Sequence, residues 1–259
     1  MSSKSFNSNM LGIGFSISDV QDDVLPEIDV INIENPLYPN YLSSDFSADV
    51  EAFLQKDYGK TIITDGSYID LNPGTPEKAI SEIVKAKVQQ SIEFAVSVGS
   101  DEIIFLSTFL PMIGMDFYDR GHVDNSICFW KEVMAVNRGI RVSICNVFEY
   151  NPDILLEIMK GVESDNFGLA FDVGHAFAYG NVTLKEFFGS MEPHCKSVYL
   201  HSNSKSADEH LDVFEGDLLK SGQFQDIIPL LCEKNVILKP FDKSRLHKNI
   251  SVLKEMFAL

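Results

Sequence analysis

A single (β/α)8 barrel is the fold class that the sequence predicts, on three observations. Eight short apolar runs alternate with longer segments of helical periodicity, the order that builds a parallel sheet covered by helices. The 259 residues are 45% hydrophobic and hold no linker-like stretch, which suits one domain over 1–259 with a sizeable core. The polar residues best suited to chemistry follow apolar runs directly, so they fall at carboxyl ends of strands, where such a barrel builds its site.

Leu11 to Ile17 is the first expected strand and Ile28 to Ile33 the second, ending at Glu34, Asn35 and Pro36. Asp45 to Gln55 reads as a helix with an acidic first turn, and Thr61 to Thr64 as the third strand. Pro76 marks the next helix start, with Thr75 as its cap. Ala79, Ile80, Ile83, Val84, Ile92, Phe94 and Ala95 give that helix a broad apolar face, and Gly99 ends it. Strand four, Glu102 to Leu106, leads into a Gly- and Met-containing stretch through His122. That is long for a strand-to-helix connection, and it predicts a lid or pocket wall. A helix from Asn125 to Asn137 precedes strand five, Arg141 to Ile144, and Asn151-Pro152 opens a helix that ends near Gly161. After strand six, Gly168 to Phe171, Thr183 and Glu186 form a capping box. Strand seven (Ser197 to Leu200), a helix from Phe224 to Glu233, strand eight (Asn235 to Leu238) and a helix from Leu246 to Phe257 complete the alternation.

The formal charge is −17, from 38 acidic against 21 basic residues, with no basic run. Phosphate backbones are gripped by clustered Lys and Arg, so nucleic acid is disfavoured as a partner. Cys128, Cys145, Cys195 and Cys232 form no CxxC pair, and the chain opens without a charged segment leading into an apolar one. Together these predict a reduced, cytoplasmic protein. No apolar run approaches the roughly 20 residues that cross a bilayer, so no membrane partner is expected. Oligomeric state leaves no signature.

Chemistry concentrates between Gly168 and Glu215, which hold GLAFDVGHAFAYGN and SVYLHSNSKSADEHLDVFEGD. Five residues there suit a divalent metal: Asp172, His175, His201, Asp208 and His210. Val173-Gly174 separates Asp172 from His175, and the glycine is expected to let the chain turn tightly enough to aim both side chains at one point. Asp208-Glu209-His210 alternates like an extended segment, which places its outer residues on one face.

The order GLAFDVGHA, HSNS, DEH and FEGD resembles the xylose-isomerase-like superfamily of barrels, which includes sugar isomerases, epimerases and class II AP endonucleases. TDGSYIDLN, NVFE with NPDILLEIMK, and VILKP extend the resemblance over most of the chain. It implies a metal-dependent enzyme, with a site at the carboxyl face, acting on sugars, related polyhydroxy compounds or abasic DNA. It also implies metal-ligand roles for Asp172, His175, His201, Asp208 and His210, all of them present.

The departures are specific. The family glutamates that end strands five and eight, which bind metal and move protons in the epimerases, fall on Cys145 and Lys239. Two histidines of the nuclease site fall on Asp65 and on Leu106 or its neighbour Ser107. A proton shuttle needs two groups of suitable pKa beside the substrate carbon, and a thiol with an ammonium copies a carboxylate pair poorly. An ammonium near Asp172 and His201 would also compete with a cation there. At most one divalent ion per chain, zinc or manganese, is therefore expected, on His175, Asp208 and His210. The position using Asp172 and His201 is expected to be weak or empty.

Lys239 and Asp172 are the expected catalytic residues and also each other's expected partner; Asn146 and Lys239 are the expected substrate contacts. Salt bridge, anion contact and Schiff-base amine are the readings of Lys239, in falling order. Cys145 reads more readily as a small buried hydrophobe than as a nucleophile, and Trp130 as core. His122 reads as a solvated loop residue beside Arg120, itself a contact for an anionic substrate, and His194 and His247 as surface residues. Two functions stand: an isomerase- or epimerase-like enzyme on a small polyhydroxy or phosphorylated substrate, or a non-catalytic barrel of that descent. Abasic-DNA cleavage trails them, because the charge is wrong and cluster ligands are missing. A fold with no metal and no chemistry at these residues is the bland alternative.

Overall fold

The computed structural model describes residues 10–15, 24–34, 52 and 59–257. In chain order it contains β1 (Met10–Phe15), β2 (Val30–Ile33), β3 (Thr61–Asp65), α1 (Lys78–Ser97), β4 (Glu102–Leu106), α2 (Asp116–Val136), β5 (Arg141–Cys145) and α3 (Asp153–Val162). Then follow β6 (Phe167–Asp172), α4 (Val173–Tyr179), α5 (Leu184–Met191), β7 (Cys195–Leu200), α6 (Gln223–Ile227), β8 (Asn235–Leu238) and α7 (Leu246–Phe257). The strands form a closed barrel in sequence order, each parallel to its neighbours, and β1 pairs with β8 through Leu11–Val236 and Gly12–Ile237. This is the (β/α)8 barrel the alternation predicts. The expected end of strand one at Ile17, and the helix from Asp45 to Gln55 apart from Ala52, lie outside the described residues.

Successive strand residues face opposite sides of the sheet, so every second residue points into the barrel. Val30, Ile63, Ile104, Cys145, Ala170, Tyr199 and Ile237 fill its middle, while the alternate residues pack outward against the helices. Below that apolar layer, at the amino end, Glu102 is buried among Ser143, Ser197 and Arg141. Above it, at the carboxyl end, five inward positions are polar, Asn32, Asp65, Asp172, His201 and Lys239, while Leu106 of β4 packs on the apolar layer. Cys145 is thus a buried hydrophobe, its thiol pushed well up by burial and by Asp172. It supplies no proton-transfer group.

Several elements differ from the sequence reading. The cap of α1 is Glu77, whose side chain accepts from the Ala79 amide, while Thr75 accepts from the Glu77 amide. Its buried face runs through Val84, Val88, Ser91, Ile92 and Ala95, and Ile80 and Ile83 are exposed. The connection after β4 ends at Met115 rather than His122, because the polar DRGHVDN stretch is helical despite Gly121. The helix expected from Phe224 ends early: Pro229 lacks an amide donor, and the chain tightens into a 3-10 turn, Ile228–Leu231. Trp130 is core as expected, against Phe105, Phe129 and Phe167. The capping box of α5 is formed as predicted.

His122 is not solvated. It lies on the inner face of α2, 4% exposed, against Phe109 and Tyr118, and its ring occupies the space a side chain at Gly74 would need. Burial lowers its pKa to about 4. The neutral ring is therefore the folded form, and the unfolded chain takes up its proton first, below about pH 6.5. Stability is unaffected at neutral pH and falls as pH drops towards 4. His122→Leu is expected to remove this dependence, so that between about pH 7 and about pH 4.5 the variant gains about 2 kcal/mol on the native protein. Urea unfolding of both at the two pH values measures it; parallel losses would show that His122 is not the group responsible.

Candidate metal centre at the carboxyl face of the barrel

The site is assembled from the ends of β5 to β8 and the chain that follows β7. Asp172 ends β6 and caps α4, its Oδ1 accepting from the His175 amide at 2.8 Å. Val173-Gly174 is therefore the first turn of a helix and not a tight loop. Gly174 is required for a different reason: a Cβ there would lie 2.1 Å from His201 Cε1, so the imidazole packs directly on the main chain. Asn146, one residue past β5, bonds both main-chain groups of Asp172, donating to its carbonyl at 2.9 Å and accepting from its amide at 2.8 Å. It is 1% exposed and ties β5 to β6, so the expected substrate contact is a strut.

After β7 the chain runs through His201 and Asn203 into the DEH loop. Asn203 is fully buried; its amide nitrogen donates to the Gly174 carbonyl at 2.9 Å, and its oxygen accepts from the amides of Glu209 (2.7 Å) and His210 (3.0 Å). These bonds hold His210 in the left-handed region at φ 48°, an uncommon conformation for a residue with a side chain. Sequence reading passed over Asn203 except as part of HSNS.

His175, His201, Asp208 and His210 converge, with one ligand-type atom from each within 4.8 Å of the others. His175 Nδ1 faces the Asn146 carbonyl at 3.0 Å and His210 Nδ1 the Lys239 carbonyl at 2.7 Å. A carbonyl only accepts, so each Nδ1 carries a proton, and Nε2 is the nitrogen left to face the cluster. Both Nε2 atoms point at Asp208 Oδ2, at 3.1 Å from His175 and 3.4 Å from His210. Imidazoles whose second nitrogen is tied to a carbonyl, gathered around one carboxylate, are the surroundings that metal sites use to orient their ligands. His201 joins them, stacked on His210 with centroids 3.6 Å apart, and Phe241 covers the other face of His210 at 4.3 Å.

The donor set fits a borderline divalent ion. His201 supports that fit: it is fully buried, yet neither ring nitrogen makes a hydrogen bond. Asp172 Oδ1 lies 3.0 Å from His201 Nε2, a close contact without the alignment of a hydrogen bond. Buried nitrogens left in this way are costly unless another group meets them. Burial lowers the pKa of His201, with Asp172 opposing. For His175, burial is outweighed by Asp172 and Asp208, which hold its pKa at about 9. Against burial, the neighbouring histidines keep Asp172 and Asp208 well below the usual carboxylate range.

Lys239 stands beside this cluster but does not meet Asp172. Its ammonium donates to Asp65 Oδ2 at 2.7 Å and Asn32 Oδ1 at 3.0 Å, and pairs with Glu34 Oε1 at 3.0 Å. Burial would lower its pKa, but Asp65 and Glu34 reverse the effect and raise it, which removes the Schiff-base reading. Glu34 is in turn held at about 2, burial being overcome by Lys239 and Lys243. Arg120 is an exposed partner of Glu157 at 2.5 Å, not an anion contact in the cleft. Glu149, which the sequence did not single out, is 2% exposed with Oε1 unpartnered, and burial raises its pKa.

The fold and this cluster define a closed (β/α)8 barrel with a histidine- and carboxylate-lined carboxyl face. The chain belongs to the xylose isomerase-like TIM barrel family, whose family model matches residues 30–236. It is 26% identical over 174 residues to the uncharacterized protein MJ1311 of Methanocaldococcus jannaschii, covering 64% of this chain and 59% of that protein. The chain thus spans less than two thirds of this curated relative. Among solved structures it is similar to a D-tagatose 3-epimerase-like protein, with a TM-score of 0.81 and 21% identity over 96% of this chain and 97% of that one. It is also similar to the IOLI protein with a binding zinc atom, with a TM-score of 0.71 and 14% identity over 95% and 96%. Both likenesses are of fold. No helix among the described residues is long and apolar enough to cross a membrane.

Proposed function

We propose that the chain is a metal-dependent isomerase- or epimerase-like enzyme acting on a small, sugar-like polyhydroxy substrate, with one divalent ion, zinc or manganese, per chain. The observation that supports this most is the pair of histidines whose Nδ1 atoms are tied to main-chain carbonyls and whose Nε2 atoms meet on Asp208. The family and the epimerase-like and zinc-bound neighbours point the same way. His175, Asp208 and His210 would hold the ion, with His201 beside them, and once bound it would polarise a substrate oxygen as a Lewis acid.

The chain's own residues fix what surrounds that oxygen. Asp172 steadies His201 and caps α4, a positioning role rather than a catalytic one. Asp65 and Glu34, both partly open to the cleft, offer carboxylate oxygens to substrate hydroxyls. Glu149 holds a proton more readily than an ordinary carboxyl because it is buried. Phe241 is 72% exposed, and its ring walls the cleft beside His210.

Elemental analysis of the native protein is expected to find one divalent ion per chain; two or more would sink the single-ion assignment. Incubated with free aldoses and ketoses in D2O, the loaded protein is expected to place deuterium on the carbon beside the carbonyl, and a chelator to stop it. One bound ion with no exchange on any sugar would favour the second reading, a binding barrel. That reading draws its support from Cys145 and Lys239 at the strand ends.

A further inference from the structure

Lys239 brings a point charge into a pocket of fixed oxygens. Asp65 Oδ2 at 2.7 Å, Glu34 Oε1 at 3.0 Å and Asn32 Oδ1 at 3.0 Å surround its Nζ, and an ammonium has three N–H donors, so all are taken. The Tyr199 ring lies 4.9 Å beneath, its negative face towards the charge. The oxygens are themselves braced. Asn32 Nδ2 donates to Asp65 Oδ1 at 2.8 Å and to the Ile63 carbonyl at 3.3 Å, Tyr199 Oη donates to Asp65 Oδ1, and Lys243 meets Glu34 at 3.4 Å.

Two carboxylates and an amide oxygen converging on one charge are the surroundings proteins give to a hard cation, and they contain no imidazole or thiolate. The pocket is separate from the histidine cluster in its ligands yet joined to it by one residue, since the Lys239 carbonyl is the partner of His210 Nδ1. With every N–H engaged, Lys239 has no donor left for a substrate, and its charge offsets Asp65 and Glu34.

We propose that Asn32, Glu34 and Asp65 form a cation site whose resident ion is the protein's own Lys239 ammonium, and that this filling limits the cleft to one exchangeable divalent ion. The count of one rests on the metal reading above; the pocket does not. Lys239 is then a positioning residue that bridges Asp65 and Glu34 and holds them aimed. Without the ammonium the same oxygens would face a space that a hydrated Mn2+ or Mg2+ can enter.

Titration calorimetry with Mn2+ on the native protein, Lys239→Ser and the double variant Lys239→Ser/Asp65→Asn tests this. Lys239→Ser is expected to take up one equivalent more than the native protein, whatever number the native protein takes, and the double variant to lose it. Lys239→Met, which keeps the bulk without the charge, is expected to gain none. If Lys239→Ser does not fold in metal-free buffer, Mn2+ or methylammonium is expected to restore its native circular dichroism. A folded Lys239→Ser that binds no additional Mn2+, or an unfolded one that neither cation restores, overturns the proposal. A native protein that binds nothing at the histidines instead refutes the metal reading, and leaves the comparison between variants intact.

Discussion

His210→Ala and, separately, His175→Ala are expected to abolish tight Zn2+ binding, by more than the roughly 100-fold that losing an outer partner of a metal ligand can cost. Each removes one of the two Nε2 donors aimed at Asp208 and leaves too few protein ligands for a tetrahedral site. His210 is the cleaner test, because it lies near the surface between His201 and Phe241 and contributes little to the core. Asp172→Asn serves as a graded control. It keeps the side chain's shape and its cap on α4 but removes the charge beside His201, so a 10- to 100-fold loss is expected, roughly the range for outer partners. Competition with a chromogenic chelator measures all three. His210→Ala binding Zn2+ as tightly as the native protein would mean that the ion does not sit at this cluster.

Glu102→Ala is expected to cost about 3–5 kcal/mol of stability, the range for breaking a buried ion pair from one side. Glu102 is 2% exposed at the amino end of the barrel, where it accepts from the hydroxyls of Ser143 and Ser197 and pairs with Arg141 Nε at 3.2 Å. Alanine would leave two buried hydroxyls and a guanidinium without their acceptor. Glu102→Gln keeps an oxygen for one serine and should lose less. Urea midpoints with unchanged m values report the difference. A loss within 0.5 kcal/mol, about that of an ordinary surface change, would mean that the carboxylate is not what holds this end closed. The site lies at the opposite end, so metal affinity is expected to survive in the folded fraction.

The barrel was legible because its strands are short apolar runs bounded by polar residues, and β4, β8 and α7 begin and end where the pattern does. The start of α2 was not legible. DRGHVDN has the polarity and glycine of a loop, and only tertiary packing shows that His122 faces inward. The five metal-type residues could be found because each follows a strand or lies in a short motif. The surroundings of Lys239 could not: Asn32, Glu34 and Asp65 come from the opposite end of the chain, and they reach the lysine only because the barrel closes β8 onto β1. Gly174 illustrates the same limit, since its need is for space beside His201, which nothing in DVGH discloses.

The orienting groups of His175 and His210 are the carbonyls of Asn146 and Lys239, and these belong to the main chain. A main-chain carbonyl is present whatever side chain the residue carries. Substitution at position 239, or at Cys145 beside Asn146, can therefore change the charge and chemistry of the cleft without disturbing which imidazole nitrogen carries the proton. The histidine cluster is insulated from drift at these two positions, where the family resemblance implies glutamates. A lineage could exchange one side chain for another there, and alter the charge of the cleft, while the histidines kept their aim throughout.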